Sequence, residues 1–170
     1  MFRGKNIMLR QLEIADVEHL YQWENNPENW IHGNTLNPYS RFFLEQYVLS
    51  SQNDILQDKQ LRFVIQENIG EPCGAVDLFD FDPHNKRAAV GILVKAEKQG
   101  RGYALEALEL LAEYCKKTLN LNQLYCSIEI GNERSLKLFQ KAGFEITGVL
   151  KKWKWFDGKW NDENFLQKML

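Results

Sequence analysis

The sequence predicts a single domain, residues 1–170, of the mixed α/β (α+β) class, in which helices pack on a mixed sheet. One observation predicts this class, and a second predicts a single domain. Short β-rich segments and amphipathic helical segments both occur along the chain, and they do not alternate regularly as in a doubly wound parallel sheet. A length of 170 residues suits one domain with an ordinary core, because most domains contain about 100–200 residues.

Seven segments have the length and residue types of strands. They are Ile7–Arg10, Leu61–Ile65, Gly74–Asp80, Ala88–Val94, Leu124–Ile130, Val149–Phe156 and Trp160–Met169. Ala88–Val94 is apolar on both faces, which predicts a strand buried in the middle of the sheet. Asp157 and Gly158 separate the last two segments and predict a tight hairpin turn.

Four segments have the apolar spacing of helices. They are Ile14–Glu24, Tyr39–Leu49, Gly102–Leu119 and Glu133–Ala142. The third has the clearest apolar stripe, and Lys116 and Lys117 near its end suit the negative end of the helix dipole. Asn132 is the expected N-cap of the fourth helix, and Gly143 follows its last turn.

Charge and composition exclude several classes of protein. Lys+Arg 21 against Asp+Glu 23 gives a net charge of −2, which does not favour a nucleic-acid surface, since such a surface needs an excess of cations. No apolar run approaches the roughly 18 residues of a membrane span, and the first residues lack the apolar stretch of a signal peptide. Three cysteines and three histidines lack the spacing of a metal site. We therefore expect reduced cysteines, no metal and a cytoplasmic location.

The segment Val94–Ala104 is the most informative part of the chain. A strand ends there, a loop containing Gly100 and Gly102 follows, and the long helix begins. Free backbone N–H groups and the positive end of a helix dipole then meet at one point, which suits an anion and above all a phosphate. Lys98 and Arg101 add positive charge beside this point.

A second segment, Asn132–Phe144, follows the next predicted strand. Together the two segments resemble the GCN5-related N-acetyltransferase (GNAT) superfamily, whose pyrophosphate loop has the pattern Gln/Arg-x-x-Gly-x-Gly/Ala. Gln99, Gly102 and Ala104 match that pattern. The likeness extends from Leu9 to the final hairpin and is strongest to the spermidine/diamine N-acetyltransferases, while ribosomal-protein N-terminal acetyltransferases share much of it. The resemblance implies a mostly antiparallel sheet flanked by helices, with central strands that splay apart to hold the cofactor.

The resemblance also implies an enzyme that transfers an acetyl group from acetyl-CoA to a primary amine, with a polyamine or diamine such as spermidine as the expected acceptor. The backbone of Ile92–Val94 would pair with the pantetheine arm, and an N–H near Leu93 would polarise the thioester carbonyl. The pyrophosphate would lie on Gln99–Leu105, and Asn132 would contact the pantetheine. The implied cofactor-binding residues are Ile92, Leu93, Val94, Gln99, Gly100, Arg101, Gly102, Tyr103, Ala104, Leu105, Asn132, Phe139 and Lys141.

One position departs from the family pattern. Many relatives have a tyrosine seven residues after the asparagine, where it donates a proton to the leaving CoA thiolate, and Phe139 stands there in this chain. Loss of one general acid costs about 10²–10⁴-fold in rate, so we expect catalysis to persist, with water, Ser135 or Tyr125 as a substitute. A non-catalytic acyl-CoA-binding protein is the alternative.

Asp77 and Glu129 are the candidates for the general base, since a carboxylate can accept the ammonium proton through a chain of waters. The alternative for each is an ordinary exposed carboxylate on a strand, which is the more common role of such a residue. Glu28, Trp30 and Asp77 are the expected acceptor-binding residues, because carboxylates and aromatic rings attract an amine cation. The N-terminus of a protein is the alternative acceptor.

The C-terminal hairpin is rich in tryptophan, with Trp153, Trp155 and Trp160. These rings either pack across the hairpin or form an interface. Relatives are often dimers or larger rings, so the resemblance implies a homo-oligomer. The other expected partner is a small-molecule amine, and we expect neither nucleic acid nor a membrane.

Overall fold

The computed structural model describes residues 1–30, 37–51 and 54–170. Its strands are β1 (Phe2–Arg3), β2 (Ile7–Gln11), β3 (Leu61–Glu67), β4 (Pro72–Asp82), β5 (Arg87–Val94), β6 (Gln123–Glu129), β7 (Glu145–Phe156) and β8 (Lys159–Met169). Its helices are α1 (Val17–Glu24), α2 (Pro27–Trp30), α3 (Arg41–Ser50), α4 (Ile55–Asp58), α5 (Tyr103–Lys117) and α6 (Glu133–Lys141). Two short 3₁₀ turns, Ile14–Asp16 and Ala96–Lys98, precede α1 and α5.

The strands form one sheet in the order β1-β2-β3-β4-β5-β6-β8-β7. Neighbouring strands are antiparallel except β5 and β6, which are parallel. A parallel pair needs a crossover connection, and α5 supplies it between these two strands. The predicted class, a mixed and mostly antiparallel sheet flanked by helices, is therefore confirmed.

The two parallel strands separate after a short common stretch. β5 pairs with β6 only from Arg87 to Ala89, opposite 123–125. On its other side β5 stays paired with β4 as far as Val94. The edge of β5 that faces β6 therefore becomes unpaired, while the edge that faces β4 remains paired. This opens the sheet in the middle. The expected splay of the central strands is present.

Alternate residues of the strands enter two separate cores on opposite faces of the sheet. Phe63 and Val76 pack in the core that contains α5 and α6. Val64 and Ala75 pack in the core that contains α1 and α3. Because successive side chains of a strand point to opposite faces, the two helical layers lie on opposite sides of the sheet.

The structure differs from the sequence-based elements in a few places. The predicted helix over 14–24 begins as a 3₁₀ turn and becomes α-helical at Val17. The helix predicted from Tyr39 begins at Arg41, because the Ser40 hydroxyl accepts a hydrogen bond from the Phe43 N–H and caps it. The short elements β1, α2 and α4 were not predicted, since two to four residues are too few for a periodic pattern.

The prediction that Ala88–Val94 is buried along its whole length is wrong for its second half. Residues 88–90 are buried, whereas 91–94 are only half-buried. The change occurs where β5 loses its contact with β6. An apolar pattern identifies the strand, but the opening beside it leaves its end accessible.

No helix within residues 1–30, 37–51 and 54–170 is long and apolar enough to cross a membrane.

The cysteines are free thiols in the interior, as expected for reduced residues. Burial raises the pKa of Cys73 to about 11 and that of Cys115 and Cys126 to about 12. A thiol reacts as its thiolate, so a raised pKa and burial both suppress its reaction.

We predict that the native protein does not react with an aromatic disulfide reagent at pH 8, because its thiols stay protonated and covered. The three thiols should react together once the chain is unfolded in denaturant. Absorbance of the released thiolate measures both states. Rapid reaction of even one thiol in the native protein would contradict this prediction.

Gly74 is needed where β4 meets the end of β5. A Cβ at this position would overlap the carbonyl oxygen of Leu93 and approach the Cα of Val94 to 3.0 Å. Both obstacles are backbone atoms, which cannot swing aside as a flexible side chain can. Only glycine allows the two strands to remain paired at the edge of the opening.

We predict that Gly74→Ala lowers the free energy of unfolding by about 1–3 kcal/mol or more, as overpacking does. Urea unfolding followed by circular dichroism measures the change. Gly148→Ala is the matched control, because a Cβ there meets nothing within 4 Å. Equal stability of the two variants would show that β4 and β5 can separate at no cost.

Candidate active site

A glycine loop places the start of α5 at the end of β5. Gly100 and Gly102 have φ angles of +76° and +83°, which favour glycine. Gly102 is the N-cap of α5, and no side chain caps this end of the helix. A Cβ at either glycine would meet nothing within 4 Å. The first N–H groups of α5 therefore face a space that an anion can enter.

Gln99 holds this loop in place. Its amide Nε2 donates a hydrogen bond of 2.7 Å to the carbonyl oxygen of Val94. The bond joins the beginning of the loop to the last residue of β5. The position of the loop relative to the open edge of β5 is thus set by a side chain.

Glu67, at the end of β3, gathers the polar side chains around the loop. It accepts hydrogen bonds from Lys98 Nζ at 2.7 Å and from the Tyr103 hydroxyl at 2.9 Å. These two bonds lower the pKa of the Glu67 carboxyl. Arg101 lies farther from the same carboxylate, at 3.9 Å, and its side chain is 53% exposed. Lys98 is therefore already matched by a carboxylate, whereas Arg101 keeps most of its surface for a solvent-borne anion.

The open edge of β5 faces β6 across the gap. Leu93 lies four residues beyond Ala89, and Glu129 lies four residues beyond its partner Tyr125, so the two stand at the same level where the strands have separated. Ile92 packs towards the α5 side, and Leu93 towards the α1 and α3 side. The backbone of β5 is here unpaired on the β6 side, as an extended ligand would require.

The far side of the gap ends in α6. The Asn132 side chain caps this helix by accepting a hydrogen bond of 3.1 Å from the Ser135 N–H. Phe139 is 5% exposed and packs edge-on against Phe144, with ring centroids 5.0 Å apart. Phe139 is therefore a core residue of α6, and Lys141 lies exposed at the end of the helix.

Asp77 does not lie on an open strand surface. Arg62, opposite it on β3, donates hydrogen bonds to both of its carboxylate oxygens, at 2.5 and 3.0 Å. Arg62 also pairs with Glu24 at 2.5 Å. Burial alone would lower the pKa of the Arg62 guanidinium, but the charge of Asp77 and its hydrogen bonds raise it well above its ordinary value. Asp77 thus belongs to an ion cluster that ties β3 and β4 to α1.

Glu129, the other carboxylate singled out by the sequence, has a different environment. Its Oε2 atom is buried and has no hydrogen-bond partner in the part of the chain that the structure describes. Glu163 on β8 lies directly opposite it and is 7% exposed. Orphaned buried carboxylate oxygens are costly, so this is the place in the gap where a cationic ligand is needed most.

The remaining expected acceptor residues are only partly placed. Glu28 is exposed on the short helix α2, and Trp30 ends that helix while its side chain lies outside the described part of the chain. Trp155 and Trp160 form a cross-strand pair at the hairpin tip, with centroids 5.2 Å apart. Both rings remain more than half exposed.

Three of these residues were not identified from the sequence: Arg62, Glu67 and Glu163. Arg62 interrupts an apolar strand, Leu61–Ile65, and a charge inside such a strand indicates a buried partner. Glu67 and Glu163 lie far along the chain from the residues that they face. Only the strand register brings them to the site.

Comparison with known proteins agrees with this geometry. A family model described as an acetyltransferase (GNAT) domain matches residues 6–145. The spermidine N(1)-acetyltransferase of Escherichia coli (strain K12) is 30% identical over 151 residues, which are 85% of this chain and 76% of that protein. The Vibrio cholerae enzyme of the same name is 25% identical over 165 residues, covering 94% of this chain and 90% of that one.

A crystal structure of spermidine N-acetyltransferase from Vibrio cholerae, in complex with CoA and spermine, superposes with a TM-score of 0.84 at 24% identity. The superposition covers 96% of this chain and 95% of that one. It confirms the fold. With the family match over most of the chain, the resemblance noted from the glycine loop and the asparagine segment is also confirmed. The chain belongs to the GNAT family and is an N-acetyltransferase that uses acetyl-CoA as its cosubstrate.

Proposed function

We propose that this enzyme acetylates a primary amine of a polyamine or diamine such as spermidine. The observation that carries the proposal is the gap between β5 and β6, which is lined on its β6 side by Glu129, whose buried oxygen has no hydrogen-bond partner among the described residues. An ammonium group is the cation that such a site can both bind and deprotonate. The similarity to spermidine N-acetyltransferases supports the same acceptor class.

The loop residues then have a direct role in binding acetyl-CoA. The first N–H groups of α5 would bind the diphosphate, with Arg101 as the added cation. Gln99 and Glu67 would act through the loop, by holding it in position. The open backbone of 92–94 would pair with the pantetheine arm, and the Leu93 N–H would donate to the thioester oxygen as negative charge develops there.

Glu129 is the group that we propose as the general base. Both oxygens of Asp77 already accept hydrogen bonds from Arg62, whereas one oxygen of Glu129 has no partner in the ranges 1–30, 37–51 and 54–170. In the reaction one ammonium proton passes to Glu129, the amine nitrogen attacks the thioester carbon, and the C–S bond breaks. The acetylated nitrogen then loses its second proton to water or to the departing thiolate, which gives the neutral amide. Phe139 can donate no proton to the departing CoA thiolate, so that thiolate leaves as the anion or takes its proton from water.

The tryptophan hairpin supports the expectation of a homo-oligomer. Trp153, Trp155 and Trp160 are 61%, 59% and 55% exposed, and Ile146 and Val149 beside them on β7 are also exposed. β7 is an edge strand of the sheet. Several exposed apolar side chains on an edge strand are typical of an interface, and we propose that a second copy of the chain covers them. The buried, unpaired thiols support a cytoplasmic location.

Release of free CoA from acetyl-CoA in the presence of candidate amines tests the proposed function. We expect turnover with spermidine, spermine and aliphatic diamines, and much less with peptides that have a free N-terminus. Preference for peptides would favour the protein N-terminus as acceptor. Tight CoA binding by calorimetry without turnover on any amine would contradict the proposal.

We predict that Glu129→Gln lowers kcat by about 10²–10⁴-fold, as loss of a general base does. Asp77→Asn should instead lower the free energy of unfolding by about 1.5–3 kcal/mol, because it weakens the charge-assisted bonds with Arg62. Steady-state kinetics and urea unfolding of both variants separate the two roles. A larger loss of kcat in Asp77→Asn than in Glu129→Gln would reverse the assignment.

We predict that Arg101→Ala raises the Kd for CoA by about fivefold and weakens its dependence on salt, because one exposed charge contributes up to about 1 kcal/mol. Lys116→Ala, at the other end of α5 and exposed, is the matched control and should bind CoA normally. Titration calorimetry at two salt concentrations measures both. Equal affinities of the two variants would place the diphosphate away from Arg101.

A further inference from the structure

We propose that Glu163 and Glu129 together form the binding site for the ammonium group of the acceptor. The inference rests on the proposed function and assigns Glu163, on β8, as an acceptor-binding residue. Neither the sequence pattern nor the family motifs single out this residue.

The strand register brings the two carboxylates together. Glu129 and Glu163 are direct partners in the antiparallel pair β6–β8, so their side chains point to the same face of the sheet with Cβ atoms about 4.5–5.5 Å apart. The burial of alternate residues along β6 identifies that face. Leu124, Cys126 and Ile128 of β6 are buried in the core under α5 and α6, so Glu129 points to the opposite face, where α1 and α3 pack.

The described part of the protein leaves one buried carboxylate oxygen of this pair without a hydrogen-bond partner. Glu163 is 7% exposed. Glu129 Oε2 is buried without a partner. Directly opposed like charges destabilise a sheet, and buried unpaired charges are costly. A pair of this kind persists in proteins when it serves a ligand of opposite charge.

The chemistry of the pair favours an alkylammonium over a metal ion. A primary ammonium has three N–H donors and can be shared between two carboxylates. Calcium and magnesium need six or more oxygen ligands, and no cluster of three or more potential ligand residues occurs in the described ranges.

The same face also offers an apolar floor for a methylene chain. Tyr125 and Phe165 pack together, with ring centroids 5.6 Å apart, and each lies on the same face as the two glutamates. Phe79 lies on this face of β4, opposite Ala89, and is 39% exposed. Carboxylates beside aromatic rings suit the alternating charge and hydrocarbon of a diamine or polyamine.

Glu163→Gln tests this assignment by removing the charge while keeping the size of the side chain. We expect the KM for spermidine to rise by about tenfold or more, with kcat within about threefold and the KM for acetyl-CoA unchanged. The free variant should melt at a higher temperature than the wild type, because the repulsion between the two opposed carboxylates has been removed. Glu163→Asp should restore part of the spermidine affinity.

Glu145→Gln is the matched control, because Glu145 is exposed on the same hairpin. This variant should keep the wild-type KM for spermidine. A spermidine KM that is unchanged in Glu163→Gln, or raised equally in Glu145→Gln, would overturn the inference.

Thermal melting with spermidine, in the presence of CoA, gives a readout that does not need turnover. We expect spermidine to raise the melting temperature of the wild type and of Glu145→Gln, and not that of Glu163→Gln. If the wild type binds spermidine through Glu163 but acetylates no amine, the proposed function fails and the site stands. If spermidine stabilises Glu163→Gln as much as the wild type, the site fails and the function is unaffected.

Discussion

The separation of β5 from β6 is the constraint on which the rest of the structure depends. Three residue pairs hold the two parallel strands together, and beyond them each strand is held only by its outer neighbour. An isolated gap in a sheet would leave backbone groups unsatisfied. Here the gap is maintained because β4 and β8 hold the outer edges, while α5 and α6 are the next helices after the two separated ends.

Each end of the gap is set by a different kind of interaction. At the end that we assign to the cosubstrate, hydrogen bonds from Gln99, Lys98 and Tyr103 fix the position of the loop that precedes α5. On the side that we propose for the acceptor, the ion cluster of Arg62 with Asp77 and Glu24 ties the strands to α1. The interactions at the loop are local hydrogen bonds near one helix terminus, whereas those of the ion cluster are partly buried ion pairs across two strands. The Oε2 atom of Glu129, on the β6 side of the gap, has no such partner among the described residues.

The sequence predicted what depends on neighbours in the chain. The glycine loop, the Asn132 cap and the Asp157–Gly158 turn are local signals, and the structure contains all three. The pairing of Arg62 with Asp77 and of Glu129 with Glu163 depends on strand register, which no local pattern encodes. For the same reason Asp77 and Glu129 looked equivalent as strand carboxylates, although their environments differ. The half-exposed end of β5 also eluded prediction, because an apolar pattern does not reveal which neighbour covers a strand.

The two cores on opposite faces of the sheet have a consequence for how such a protein changes over evolution. The layer of α5 and α6 packs with one set of strand residues, and the layer of α1 and α3 packs with the alternating set. Substitutions in α1, α3 and the residues beneath them can therefore accumulate without disturbing the packing of α5. One scaffold can thus keep its binding of a common acyl donor while its preference among amines diverges. The side chains facing α1 and α3, where we propose that the acceptor binds, are the natural starting point for redesigning that preference.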